Sequence, residues 1–197
     1  MIMPNSSVSE LEHCRSVLLR VVKSLSNEQL DFQVFPDAKP IGELLLHVAG
    51  FEFLMVSGAK LLAEGAPDHR LWLKLKPGFA REAGFPPPQG RSLDDYLAAL
   101  TDVRQRTLPF FAESAERRMV QKAKFPITAL VALLRDSDPE ANVEHYNKIA
   151  AGARTTFSDD GSENERGETD LVNLLQLHET YHRDHITLQK YLYTRLA

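Results

Sequence analysis

The stretch "HETYHRDH", close to the C-terminal end of the sequence, places His178, His182 and His185 within eight residues. Imidazole nitrogens bind divalent ions at about 2.0–2.1 Å, and a pair spaced i, i+4 on a helix can converge on one ion. At about 100° per residue around a helix axis, His182 lies about 40° to one side of His178 and His185 about 20° to the other side of it, so all three share one helix face. Buried ring nitrogens must be satisfied by a metal or by hydrogen bonds. The spacing therefore indicates a metal site, with hydrogen-bonded bundle histidines as the alternative.

The first five letters of this stretch also match the H-E-x-x-H signature of zinc proteases. Such an enzyme needs a third ligand, either a downstream glutamate or the histidine of a longer pattern. The sequence after His182 contains no glutamate and does not fit the longer pattern. Glu179, which would be the catalytic base, points about 100° away from His178 on a helix. We therefore expect no protease.

A third metal ligand must come from another part of the chain. His47 is the best candidate, because it lies in the middle of the helical segment "IGELLLHVAGFEFL" and on the side of its apolar stripe. The predicted metal ligands are therefore His47, His178 and His182, and the alternative for His47 is a flank histidine that bonds to water or to a carbonyl. The other candidates lie at the edge of a helix or in segments without clear periodicity: His13, His69 and His145.

His185 is predicted to lie near the metal-binding pocket without being a ligand of the metal. Its Cα lies about 10 Å along the helix axis from that of His178, which is a long reach for an ion gripped by the i, i+4 pair. Tyr181 is expected beside it, facing inward at the edge of the apolar stripe. No general base can be assigned, because the nearby carboxylates are expected on the flanks of their helices: Glu43, Glu52 and Glu179.

Four segments carry the helical periodicity that would position these residues, and none shows convincing strand alternation. They cover residues 8–25, residues 40–64, a stretch after Ser92, and a stretch from about residue 170 almost to the end. Capping boxes are expected at Ser7 and Ser92, and Pro109 is expected to kink or end the third helix. The predicted fold is all-α, an antiparallel four-helix bundle forming a single domain over residues 1–197. The inward positions of the last helix are predicted to be Leu171, Leu174, His178, Tyr181, His185, Leu188 and Leu192.

The segments between these helices are expected to be less regular. Residues 66–90 include "GFPPPQG" and predict an extended surface connection. Residues 153–168 are polar and predict a mobile loop, cleavable between Ser158 and Gly167 without loss of the bundle. The piece from Ile127 to Ala151 is expected to hold one or two short helices.

Composition limits the class of protein and its partners. The net charge of -4 argues against binding nucleic acid or an anionic membrane. Cys14 is the only cysteine, which excludes an internal disulfide and fits a reducing cytosol. No signal peptide is recognised in "MIMPNSSVSE", and no stretch approaches the roughly 18 apolar residues of a membrane span. We expect a cytoplasmic protein with a small-molecule substrate.

Two stretches resemble the DinB family, including its YfiT-like members: "LSNEQLDFQVFPDAKPIGELLLHVAGFE" and "LLQLHETYHRDHITLQKYL". The third segment, "SLDDYLAALTDVRQRTLPFFAE", resembles the family's third helix. The resemblance implies a four-helix bundle with metal-binding histidines at positions 47, 178 and 182. Residues 66–90 and 126–168 look like insertions, and His185 stands where family members often carry glutamine.

The resemblance also implies the chemistry and the partners. Some members are thiol S-transferases or isomerases that use a low-molecular-weight thiol, and others are presumed hydrolases. It also implies a homodimer. The metal is expected to be a divalent zinc, nickel or iron ion, because imidazole ligands suit all three. The alternative is a non-catalytic helical bundle whose metal site is structural or vestigial.

Overall fold

The computed structural model describes residues 6–61, 67–113, 115–121, 126–157 and 168–196. These residues form α-helices, two short 3-10 helices and one antiparallel pair of strands. The α-helices are α1 (Ser6–Val22), α2 (Asn27–Asp31), α3 (Ile41–Leu61), α4 (His69–Leu75), α5 (Ala80–Ala83), α6 (Leu93–Glu113), α7 (Ile127–Asp136), α8 (Val143–Phe157) and α9 (Leu171–Leu196). The 3-10 helices are Lys76–Phe79 and Ala115–Arg118, and the strands are β1 (Met119–Gln121) and β2 (Glu168–Asp170).

The four longest of these helices form a bundle, in which α3 and α1 each pack against both α6 and α9. Arg15 donates to the Leu100 carbonyl, and Arg104 donates to the Leu11 carbonyl, so α1 and α6 run antiparallel. The all-α prediction is confirmed, and the four long helices fit the predicted bundle. The described residues add several short helices and the small β1–β2 pair.

The long connections set the remaining directions in the bundle. Phe51 of α3 stacks on His178 of α9 while Gln189 reaches the Lys39 carbonyl before α3, so these two helices are antiparallel. Glu52 of α3 pairs with Arg104 of α6. Further along both helices, the Lys60 ammonium of α3 lies over the ring of Phe110 of α6. These contacts make α3 and α6 parallel neighbours, which the long connection over residues 62–92 allows. The predicted antiparallel arrangement therefore holds between α1 and α6 and between α3 and α9, but not between α3 and α6.

The predicted helix ends are correct in part. Ser92 and Asp95 form the expected reciprocal hydrogen bonds at the start of α6. Ser7, however, lies inside α1, where it accepts a hydrogen bond from Arg118. Pro109 does not end α6, which continues to Glu113. The start of α3 agrees with the prediction, and residues 62–66, where its end was expected, lie outside the described residues.

The prediction for residues 66–90 is correct for residues 84–90, which contain the proline run and have no regular secondary structure, and wrong for residues 69–83. The segment folds over the outer face of α3. It contains α4, a 3-10 helix and α5, and it buries Trp72, Phe79 and Phe85. Local proline content suggested an exposed segment, but these aromatic side chains gain more from burial against α3. As a result α3 is buried on nearly all sides.

α3 is long and apolar enough to cross a membrane by length and composition, with a mean hydropathy of 1.5 over an 18-residue window. Most of that window is buried inside the protein, and the helix carries the buried carboxylates Glu43 and Glu52. A buried core helix explains both features, which makes the structure compatible with a soluble protein.

The buried face of α9 differs from the predicted stripe. Tyr181 and Leu188 were expected inward but are 59% and 54% exposed. The helix instead buries Leu171, Val172, Leu175, Glu179, His182, Ile186 and Gln189. The prediction treated Glu179 as a flank residue, whereas two buried arginines pair with it and allow it to face the core.

The region after α6 holds the two short helices that were expected, α7 and α8. α8 continues to Phe157, and β2 begins at Glu168, so the ends of the predicted 153–168 loop are regular. The part expected to be cleavable, residues 158–167, lies outside the described residues.

Candidate metal centre

His47 of α3 meets His178 and His182 of α9 between the two antiparallel helices. One ligand atom from each lies within 4.8 Å of the other two. The ring centroids are 5.1 Å apart for His47 and His178, 4.9 Å for His47 and His182, and 4.5 Å for His178 and His182. The structure therefore brings together the three residues predicted from the sequence.

The ring of His47 is oriented by the segment that covers α3. Its Nδ1 lies 3.1 Å from the backbone carbonyl of Gly78. In the tautomer with its hydrogen on Nδ1, His47 donates to this carbonyl and leaves Nε2 as the free acceptor. Gly78 can approach this closely because it lacks a side chain. A Cβ at Gly78 would lie 2.4 Å from the backbone nitrogen of His47 and from the backbone carbonyl carbon of Leu46.

Burial keeps the three rings neutral. Desolvation, the neighbouring Lys39 ammonium and the other histidines hold the pKa of His47 well below its usual range. Desolvation and the neighbouring His182 and Lys39 lower the pKa of His178 to about 2. Desolvation, Lys39 and His185 lower the pKa of His182 to about 4. Neutral imidazoles are the form that binds metal, so protons do not compete for these nitrogens near pH 7.

The donor set fits a divalent ion. Three neutral nitrogen donors suit zinc, nickel and iron alike. The Nδ1 of His182 is buried and has no hydrogen-bond partner among the described residues, which is costly for a polar atom in the core. Phe51 stacks on the ring of His178 at 3.8 Å between centroids and excludes water from that side. His47, His178 and His182 are the residues that would hold the ion.

Lys39 and Glu82 also lie at this centre, although neither was predicted as a site residue. The Lys39 ammonium lies 3.3 Å from His47 Nδ1 and forms an ion pair with Glu82. Glu82 Oε1 is 3.8 Å from His47 Nδ1. Lys39 lies just before α3 and Glu82 lies in α5, so they meet only through the packing of residues 69–83 onto α3. No local periodicity could reveal that contact.

Two cavities adjoin the histidines. The first, called here the apolar cavity, has a volume of about 250 Å³ and contacts His47 and His178. The second, called here the lysine cavity, has a volume of about 480 Å³ and contacts His182 and Lys39. Glu82 lines both. The remaining walls of the apolar cavity are mainly Phe51, Leu54, Met55, Phe79 and Ile149.

His185 and Tyr181 lie beside the centre, in the wall of the lysine cavity. Their rings are 4.3 Å apart, and the ring of His185 is 5.9 Å from that of His182. His185 is not in the three-residue cluster. Tyr181 was predicted to face inward, but it is largely exposed because α9 is rotated relative to the predicted stripe. The alternative ligands do not join the cluster either: His13, His69 and His145.

Glu179 cannot act as the base of an H-E-x-x-H protease. Its carboxylate accepts hydrogen bonds from Arg15 at 2.6 Å and from Arg104 at 2.7 Å. The same two arginines bind Glu52. All four side chains are buried at the centre of the bundle, one from each long helix. Glu43, the third expected flank residue, is also buried and accepts the backbone N–H of Arg81.

Comparison with known sequences agrees with this architecture. The sequence model of the DinB superfamily matches residues 10–157. The match includes His47 and runs across residues 66–90, and it ends before α9, so His178 and His182 lie outside it. No match is found among curated proteins or among solved structures. Because the matched range is well over half of its length, the chain belongs to the DinB superfamily.

Proposed function

We propose that this protein is a divalent-metal-dependent enzyme that acts on a small molecule, by thiol transfer in preference to hydrolysis. The observation that carries the proposal is the convergence of His47, His178 and His182 between two cavities. An ion held by three imidazoles keeps an open position, where the pKa of a bound water or thiol is lowered.

The residues around the histidines supply binding and proton transfer. The apolar cavity accepts an apolar part of the substrate, since Phe51, Met55 and Phe79 line it. The carboxylate of Glu82 lies at the boundary of both cavities and can accept a proton from a ligand in either one. Gly78 holds His47 in one orientation through its carbonyl.

The presence of two cavities supports transfer between two organic reactants. In hydrolysis the second reactant is water, which needs no cavity of its own. Here the lysine cavity, at about 480 Å³, is large enough for a second small molecule beside the apolar cavity. The low-molecular-weight thiol is assigned to the lysine cavity, and its acceptor is assigned to the apolar cavity.

A structural metal is the competing assignment, and the donor count disfavours it. Structural zinc sites are closed by four protein ligands. Among the described residues only three donors converge, and His185 lies outside the cluster. A fourth position is thus left for a reactant.

The proposal includes a cytoplasmic, homodimeric protein. The half-buried thiol of Cys14 is compatible with a reducing compartment. The outer face of α9 carries several exposed apolar side chains that a second copy could cover: Leu177, Tyr181, Leu188 and Tyr191. Sedimentation of the purified protein measures its oligomeric state.

The experiment that tests the function is a paired substrate screen on zinc-, nickel- and iron-loaded protein. One panel combines small thiols with apolar electrophiles, and the other contains small esters. Thiol-dependent turnover in the wild type, absent in His47→Ala and retained in His13→Ala, would support the proposal. Turnover of esters alone would move the assignment to a hydrolase. No His47-dependent turnover in either panel would refute the proposed catalysis.

A further inference from the structure

Of the described residues that line the lysine cavity, one is a largely enclosed cation, Lys39. The side chain of Lys39 is 12% exposed, and its ammonium lies 3.3 Å from Nδ1 of His47, the α3 member of the histidine cluster. The backbone of Lys39 is fixed to the opposite wall, because Gln189 Nε2 donates to its carbonyl at 2.8 Å. A positive charge is therefore held in a defined place beside the three rings.

The partner of this ammonium can move away. Glu82 is 43% exposed on its side chain, whereas Lys39 is nearly enclosed. Burial lowers the pKa of Lys39, and the neighbouring Glu82 carboxylate partly offsets that effect. A carboxylate entering the cavity can take the place of Glu82 on Lys39, and the partly exposed Glu82 side chain can turn away from Lys39 while it stays at the boundary of the two cavities.

Among the described residues that line the apolar cavity, none is an enclosed cation like Lys39. The lysine of this cavity, Lys148, is 49% exposed and pairs with Glu144 on its own helix. A solvated ammonium of this kind gives little selectivity for an anion, because water and salt screen it. The two cavities therefore differ in their preference for charge.

We propose that Lys39 forms an anion subsite that binds the carboxylate of a low-molecular-weight thiol, with the sulfur directed toward the three histidines. The position of the sulfur rests on the proposed function. The binding of the carboxylate does not, because Lys39 and its cavity are present whatever the histidines hold.

The carboxylate subsite is tested first with propionate, which has no thiol. Calorimetric titration of the full-length protein, both zinc-loaded and chelator-treated, compares the wild type with Lys39→Gln and Lys148→Gln. Propionate should bind about 10-fold or more weakly to Lys39→Gln, because a charge-assisted hydrogen bond is lost. Lys148→Gln should match the wild type. Equal affinity in Lys39→Gln and the wild type would overturn the subsite.

A second variant acts in the opposite direction. Glu82→Gln removes the carboxylate that competes for Lys39, so propionate should bind more tightly than to the wild type. This gain cannot come from misfolding, which keeps the test decisive if Lys39→Gln is unstable. Unchanged or weaker binding to Glu82→Gln would count against the subsite.

The thiol is then tested with 3-mercaptopropionate and 2-mercaptoethanol on the zinc-loaded protein. The wild type should prefer the anionic thiol, and Lys39→Gln should bind the two with similar affinity. A preference that survives in Lys39→Gln would overturn the assignment. Lys39-dependent binding of propionate by a protein that takes up no metal would support the subsite while refuting the proposed function.

Discussion

Two groups of polar side chains lie next to each other inside the bundle, and they differ in how their polar atoms are satisfied. The charge cluster consists of Arg15, Glu52, Arg104 and Glu179. The histidine cluster consists of His47, His178 and His182. In the charge cluster, each arginine contacts both carboxylates at 2.6–2.8 Å. In the histidine cluster, the rings are neutral, and the buried Nδ1 of His182 has no described partner.

The difference separates a structural group from a ligand site. The charge cluster links all four helices and has no need of an added ligand, since its charges balance. The histidine cluster lies next to it, with His178 adjacent to Glu179 in α9, and offers nitrogen donors to something outside the chain. We infer that the charge cluster fixes the position of α3 relative to α9, and that this fixed position brings His47 close to His178 and His182.

Removal of one member of the charge cluster should have the largest effect on stability. Arg104→Ala leaves two buried carboxylates with one arginine, which costs about 3–5 kcal/mol, or roughly 6–20 °C in melting temperature. Arg106→Ala is the matched control on the same helix, because its pair with Asp68 is exposed; it should cost less than about 1 kcal/mol. Thermal unfolding measures both. Equal effects of the two substitutions would show that the charge cluster does not stabilise the bundle.

Removal of metal from the histidine cluster should have a smaller effect. An ion present at 100 times its dissociation constant adds about 2.7 kcal/mol to the free energy of unfolding, or roughly 5–11 °C in melting temperature at this size. Melting curves of zinc-loaded and chelator-treated protein measure the difference. Superimposable curves, with metal removal verified, would indicate that the bundle folds without energetic help from the site.

Acid should destabilise the metal-free protein through the histidine cluster. The pKa of His182 is lowered in the folded state to about 4, so below about pH 6.5 the unfolded chain takes up the proton first. Its contribution to stability is therefore lost as pH falls from about 6.5 toward 4. Between pH 6.5 and 5.5, denaturant unfolding of the wild type should lose about 1 kcal/mol more than that of His182→Gln. Parallel pH dependences in the two proteins would show that His182 is protonated normally in the fold.

His185→Gln should have the smallest effect on metal binding. The His185 ring lies in the lysine cavity and outside the three-residue cluster, so the variant should keep its metal. Substrate preference should change, because the side chain faces the cavity assigned to the thiol. Metal content and thiol selectivity measure the two effects. Loss of metal in His185→Gln would place the residue among the ligands and favour a closed, structural site.

The residues that the sequence could identify are those with a local pattern. The i, i+4 spacing of His178 and His182 defines a shared helix face, and His47 follows from the apolar period of α3. The long helices follow from the same periodicity and from capping residues such as Ser92. These features depend on neighbours a few residues away, so a single sequence contains them.

The remaining features depend on contacts between distant segments. The orientation of α9 was predicted wrongly because Glu179 is buried by arginines from two other helices. Gly78 and Glu82 reach the histidines through the fold of residues 69–83, which buries Trp72 and precedes the proline-rich residues 84–90. Aromatic burial overrode local composition there, and composition alone gives no measure of it.

The most direct test of a three-histidine metal centre is the metal content of protein purified without chelator, measured by inductively coupled plasma mass spectrometry. The wild type and the surface control His13→Ala should carry about one divalent ion per chain. His47→Ala, His178→Ala and His182→Ala should each lose most of it, with melting curves confirming that the variants are folded. Full occupancy in folded His47→Ala would contradict the account, because the ion would then be held without α3.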